Sequence, residues 1–148
     1  VTLNYNIDNI LKIYKKTLIL NKLISKEIGK DVMFSYKRAS NIISNELKNN
    51  KIELTGSADP GLFKNEFEKI LYKKIHEIRK DFTNIGRDGD YEGILKTLSL
   101  ARKEVNEFFD NVIVNDQDEL IKKNRLELLQ MLCKTFDNYL NFSKVESF

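Results

Sequence analysis

At 148 residues the chain is long enough for one domain with a real core and needs no covalent staples. With 41% hydrophobic and 32% charged residues it has the composition of a soluble globular protein, and no apolar run is long enough to cross a membrane. A net charge of +3 and a pI near 8.8 are compatible with nucleic acid without selecting it, and a single cysteine excludes an internal disulfide.

In chain order, Ile7, Ile10, Leu11, Tyr14, Leu18 and Ile24 predict a first amphipathic helix near residues 6–24, started by Asn6 or Asp8. Gly29 and Asp31 punctuate the chain. A second helix is predicted over 32–47, with Val32, Tyr36, Ala39, Ile43 and Leu47 inside. Residues 49–59 carry no helical period and contain Thr55-Gly56-Ser57, so they read as a long surface loop. Asp59-Pro60 is a helix start, an N-cap followed by proline, and Phe63, Phe67, Ile70, Leu71, Ile78 and Phe82 give a third helix over 60–82. Gly86 to Asp90 breaks it. Tyr91, Ile94, Leu95, Leu98, Ala101 and Val105 predict a fourth helix over 91–106.

The last helix, over 117–141, carries the strongest signals. Asp116 and Glu119 have the spacing of a capping box, and Ile121, Leu128, Leu129, Leu132, Cys133, Phe136 and Leu140 recur at three- and four-residue steps. The alternating pattern of a strand extends no further than Val112 to Val114. The fold class is all-α, a bundle of about five helices, with residues 1–148 forming one domain. Because the chain starts at Val1 and shows no secretory signal, it is expected to be a piece of a longer cytoplasmic protein.

Most catalytic constellations are missing. A zinc site needs several His or Cys ligands, and the chain has only His76 and Cys133. A di-iron bundle needs Glu-x-x-His, and the residue three before His76 is Lys73. There is no Gly-rich phosphate loop and no nucleophile elbow. The paired acids near Asp116 have a sufficient role at a positive helix start. No catalytic residue, metal site or cofactor is expected in this stretch.

What remains is polar chemistry on helical ridges. Lys37, Arg38 and Asn41 share a face of the second helix, and they are residue types that contact phosphates and base edges. Lys122, Lys123 and Asn124 stand together early in the last helix. Each lysine taken alone is more often solvated surface than ligand. Arg125 falls inside the apolar stripe, between Ile121 and Leu129, and a guanidinium there needs a fixed partner. For a structural clamp that partner is Asp110, the nearest carboxylate, or backbone carbonyls at the preceding turn; otherwise it is a phosphate or base from outside. Phe108 and Phe109 read as core. The residues alone reach a helical domain with RNA binding open.

Phe108, Phe109, Asp110, Val112, Val114, Asp118, Asn124, Arg125 and Leu126 together resemble, in order and spacing, the C-terminal region of bacterial glycyl-tRNA synthetase β subunits. Lys37-Arg38-Ala39-Ser40-Asn41-Ile42 is similar to that family's Lys-Arg-x-x-Asn-Ile segment, and Asp90-Tyr91 with Leu95 and Leu98, and Phe142-Ser143, also fit. Three positions depart: Lys122 stands where the family usually has arginine, Glu104 replaces a common proline and Asn106 a common aspartate. The resemblance implies an anticodon-binding domain of the DALR type, shared with arginyl-tRNA synthetase. It further implies a partner in glycine tRNA, a synthetase α subunit that houses the chemistry, and ATP and Mg²⁺ used by the parent enzyme but not by this segment. Lys37, Arg38, Asn41, Lys122, Lys123 and Asn124 are the expected RNA-binding residues. The competing expectation is a docking bundle that joins subunits and touches RNA little; the related arginyl domain lacks the double-phenylalanine block.

Overall fold

The computed structural model describes residues 2–82 and 91–139. Among the described residues there are six α-helices and one 3-10 turn, and no strand. In order they are α1 (Thr2–Ile24), α2 (Glu27–Asn49), the turn Pro60–Leu62, α3 (Glu66–Phe82), α4 (Tyr91–Ser99), α5 (Arg102–Asn111) and α6 (Glu119–Tyr139). The Gly86–Asp90 break, Leu140 and Phe142-Ser143 lie outside the described residues, as do the side chains of Asn6, Ile24 and Tyr91.

The bundle is built around α6. Leu126, Leu128, Leu129, Leu132 and Phe136 are fully enclosed, and so are Ile121 and Met131 to within a few per cent. They meet α2 on one side and α3 on another, with the 3-10 turn against the helix as well. Leu71, Ile75 and Ile78 of α3, Leu98 of α4, and Val105 and Phe108 of α5 complete the core. A single apolar stripe predicts a helix lying on the surface of a core. Here the helix is covered nearly all round, so its polar residues are enclosed too: Lys122, Asn124, Arg125, Glu127 and Thr135 are all buried.

Five boundaries differ from the expectation. Asp59-Pro60 does start a turn, with the Asp59 carboxylate accepting from the Gly61 N–H at 2.8 Å, but it is only the 3-10 turn. The start of α3 is made by Asn65, whose Oδ1 accepts from the Phe67 N–H (2.9 Å), and by Glu68, whose Oε2 accepts from the N–H groups of Lys64 (2.9 Å) and Asn65 (2.8 Å). Asn65 to Glu68 is a capping spacing in plain view in the sequence. The predicted fourth helix is two helices, α4 and α5, joined by a tight turn at Leu100-Ala101 in which each N–H bonds three residues back. No glycine or proline marks it. Ala101 is fully buried there, and Leu98, Val105 and Phe108 keep facing the core across the bend.

The second helix begins at Glu27 rather than 32, because Gly29 is buried in its first turn instead of ending a segment. Asp31 is not punctuation either; it pairs with Arg102 of α5 at 2.6 Å. The last helix is capped by Asp118, whose carboxylate accepts from the Leu120 N–H at 3.0 Å, and not by Asp116. α1 starts at Thr2, so neither Asn6 nor Asp8 begins it. Its apolar stripe is present but uncovered: Ile7, Ile10, Leu11, Tyr14 and Leu18 are all exposed, Ile10 by 64%.

Candidate nucleic-acid interface

The two expected clusters of polar residues meet different fates. On α6 most of the cluster is turned inward. Arg125, 7% exposed, donates from Nε to Glu68 Oε1 at 2.8 Å, and from Nη1 to the Ile113 carbonyl at 2.7 Å and to Asp116 Oδ2 at 3.0 Å. The clamp partners are therefore Glu68 and Asp116; Asp110, the expected carboxylate, is exposed on α5 and not among them. Glu68 is fully buried, and one of its oxygens caps α3 while the other holds the guanidinium, so a single side chain ties α3 to α6. A bulky cation among leucines is stable there because its Nε and Nη1 meet two carboxylates and a carbonyl.

Lys122 and Asn124, expected on the RNA-facing ridge, are buried as well. The Lys122 ammonium pairs with Glu46 of α2 at 2.8 Å. That hydrogen bond raises the ammonium above its ordinary pKa and lowers the Glu46 carboxyl below its own. Asn124 bonds both ways to the backbone of Asp59: its Oδ1 accepts from the N–H at 2.7 Å and its Nδ2 donates to the carbonyl at 2.9 Å. One turn later Glu127 accepts from the backbone N–H groups of Thr55 (2.8 Å), Gly56 (2.6 Å) and Ser57 (3.2 Å). Gly56 adopts a φ of 80°, which turns successive N–H groups toward one carboxylate. The expected surface loop is thus strapped to α6, with Ala58 in the core. Lys122 and Asn124 act as structural fasteners because α6 is central, and only Lys123 of that cluster is exposed.

The α2 cluster stays outside. Asn41 is exposed, and Lys37 and Arg38 are half-buried at its side. The Arg38 guanidinium lies 4.3 Å from the centroid of the Phe109 ring. A ring contact of this kind uses the face of the guanidinium and leaves its in-plane N–H groups as donors. Phe109 in turn meets Phe108 edge-on at 5.5 Å between centroids, and Phe108 is fully buried. The double phenylalanine therefore has two roles. Phe108 fills the core, and Phe109 seats the arginine of the α2 ridge.

Two residues, the buried Glu68 and the exposed Phe34, carry signals that residue types alone did not flag. Glu68 is found by the Asn65-x-x-Glu68 spacing, and Phe34 by its place three before Lys37 and off the buried line of Val32, Tyr36 and Ala39. Cys133 is a free, buried thiol pushed up to about 12 by burial and by the nearby Asp137 carboxylate. His76 is exposed and meets the Tyr72 ring edge-on, at 4.5 Å between centroids. Among the described residues no group of three or more His, Cys, Asp or Glu is placed to hold a metal ion, and no helix is long and apolar enough to cross a membrane.

Comparison with known proteins gives this arrangement a family. The chain is 37% identical over 126 residues to the glycine–tRNA ligase beta subunit of Rickettsia prowazekii (strain Madrid E), covering 85% of this chain and 18% of that protein. It is 34% identical over 143 residues to the beta subunit of Rickettsia canadensis (strain McKiel), covering 97% of this chain and 20% of the relative. The chain thus spans about a fifth of the length of these relatives. Residues 32–147, from the first turns of α2 past the end of α6, match the DALR anticodon binding domain, and the chain belongs to that family.

Proposed function

We propose that this chain is the tRNA-binding part of a glycine–tRNA ligase beta subunit, and that it grips the anticodon stem-loop with the outer ridge of α2. The observation that carries this reading is the match of residues 32–147 to an anticodon binding domain, which includes that ridge. Lys37 and Arg38 contact phosphates, Asn41 meets a base edge or the backbone, and Lys123 adds charge from α6. Lys122 and Asn124 serve the same surface indirectly, by holding α6 to α2 and to the 55–59 strap. In this reading residues 1–148 work as one domain without catalytic residues or cofactor of their own. ATP and Mg²⁺ act in the parent enzyme with its α subunit, in the cytoplasm.

Filter binding of glycine tRNA across a salt series tests it. Each neutralised phosphate on a single strand contributes a log–log slope of about −0.7. Lys37→Ala with Arg38→Ala should flatten the slope by roughly one to two units. Asn41→Ala should leave the slope alone and reduce discrimination between native and altered anticodon loops. Unchanged affinity and slope in the folded double variant would place the RNA on another face. The uncovered stripe of α1 favours a second role for that helix alone, docking against another protein surface.

A further inference from the structure

We propose that Phe34 is a base-stacking residue, on whose exposed ring an unpaired base of the anticodon loop lies; this rests on the anticodon-binding reading and names the contact that supplies its preference for unpaired RNA. α2 buries one side, with Val32, Met33, Tyr36, Ala39 and Ile43 all below 9% exposed, and leaves Ile28, Phe34 and Leu47 exposed. Phe34, at 56%, is the most exposed of these three and the aromatic one. It stands on the opposite side of the helix, four residues after Lys30, three before Lys37 and seven before Asn41, which is the spacing of one outward ridge. Continued along the helix, the ridge reaches Asn45 and Lys48. From Lys30 to Lys48 this outward line carries cations, amides and one aromatic ring, and no carboxylate.

The surroundings leave the ring open. Among the described residues Phe34 has no ring partner. Arg38, one turn on and the natural candidate to lie across it, is turned to the Phe109 ring of α5 instead. Of the α2 acids, Asp31 pairs with Arg102 and Glu46 with Lys122, and Glu27 stands two turns before Phe34, in the first turn of the helix. An exposed Phe on a protein surface is by itself unremarkable in chemistry. An exposed Phe with lysines one turn away on both sides, and an exposed amide beyond, combines the two elements that single-stranded nucleic acid requires. One is positive charge for the backbone, and the other is a π-face for a base. A duplex offers no such base, because its bases are stacked on each other, so the contact selects the loop over the stem. Stacking is indifferent to which base lies on the ring. Phe34 therefore supplies affinity for the unpaired loop, and Asn41, two turns along, the hydrogen-bonding group that distinguishes bases.

The test uses the whole 148-residue chain, which contains no tryptophan. Phe34→Trp places the chain's single tryptophan at the site, excited selectively over the six tyrosines. Its emission should be quenched on adding an RNA stem-loop with the glycine anticodon, and unchanged on adding a blunt duplex of the same stem sequence. Phe34→Ala should weaken stem-loop binding by roughly 5- to 100-fold, the effect of losing one base–aromatic contact. Its salt slope and melting temperature should match the parent, since no phosphate contact and no core packing is lost. Phe34→Tyr should restore most of the binding. If the stem-loop binds with parental affinity to Phe34→Ala and leaves the fluorescence of Phe34→Trp unchanged, the stacking role is overturned while the anticodon-binding reading stands. The ring would then be free for a protein partner. If neither the parent chain nor any variant binds the stem-loop or glycine tRNA, both readings fall together.

Discussion

Removing the Arg125 guanidinium should unfold this domain before it affects RNA. In Arg125→Ala, Glu68 keeps its two backbone donors at the start of α3 but loses its counter-charge, while remaining fully buried. The Ile113 carbonyl loses its donor, and Asp116, being part-exposed, is rehydrated. Breaking a buried pair by deleting one partner costs about 3–5 kcal/mol, most of it the desolvation of the charge left behind. For a domain of this size each kcal/mol moves the melting temperature by about 2–4 °C, so a fall of roughly 6–20 °C is expected. Far-UV circular dichroism during heating, repeated in urea, measures it. The cause is separable from lost packing by a double-mutant cycle. Arg125→Met keeps the aliphatic stem and Glu68→Gln keeps a capping oxygen while removing the charge. The double variant should be less destabilised than the sum of the two singles, by about 0.5–3 kcal/mol. An Arg125→Ala protein that melts within a degree or two of the parent, or a cycle with no coupling, would refute the clamp and make a direct RNA role for Arg125 preferable.

Further outcomes follow from the same packing. Glu127→Ala removes the acceptor of three backbone N–H groups and should cost about 2–3 kcal/mol, with proteolysis in the 50–59 strap accelerating before global unfolding in urea. Glu46 is held below its ordinary value of 4.5 by the hydrogen bond from Lys122, and Asp116 below 3.8 by the backbone N–H of Asp118 and then by Arg125. A depressed carboxyl contributes stability that is complete above its unfolded value and is lost as pH falls through the folded one, so melting temperature should drop below about pH 4.5. Glu46→Gln should be less stable than the parent at neutral pH and show a shallower acid decline. Cys133, with its thiol pushed up to about 12, should not react with a thiol-specific reagent in the native protein at neutral pH, and should react at once in denaturant.

The helical class, the strong segment that became α6, the inner face of α3 and that of α2 apart from Leu47, which is exposed, follow from local spacing alone. Periodicity reports which residues seek an apolar environment, and α-helix geometry converts that into faces. The same information placed Arg125 in an apolar stripe and so required it to have a partner. It could not choose among acids. Asp110 is fifteen residues away in the chain, whereas Glu68, the buried partner, is 57 away and comes within reach only when α3 packs on α6. Nor could spacing tell a helix lying on a core from one running through it. With α2, α3 and the 3-10 turn packed around α6, Lys122 and Asn124 became internal bonds rather than ligands, and the loop at 55–59 became a strap. The bend at Ala101 was hidden for a related reason: both halves keep the same apolar spacing, and no glycine or proline marks the break. α1 shows the converse, since its stripe is plain in the sequence but no described residue covers Ile7, Ile10 or Tyr14. The sequence by itself determined which side chains must avoid water and which charges must be answered. Tertiary structure alone decided by whom, because burial and pairing are properties of several elements meeting, and no single element contains them.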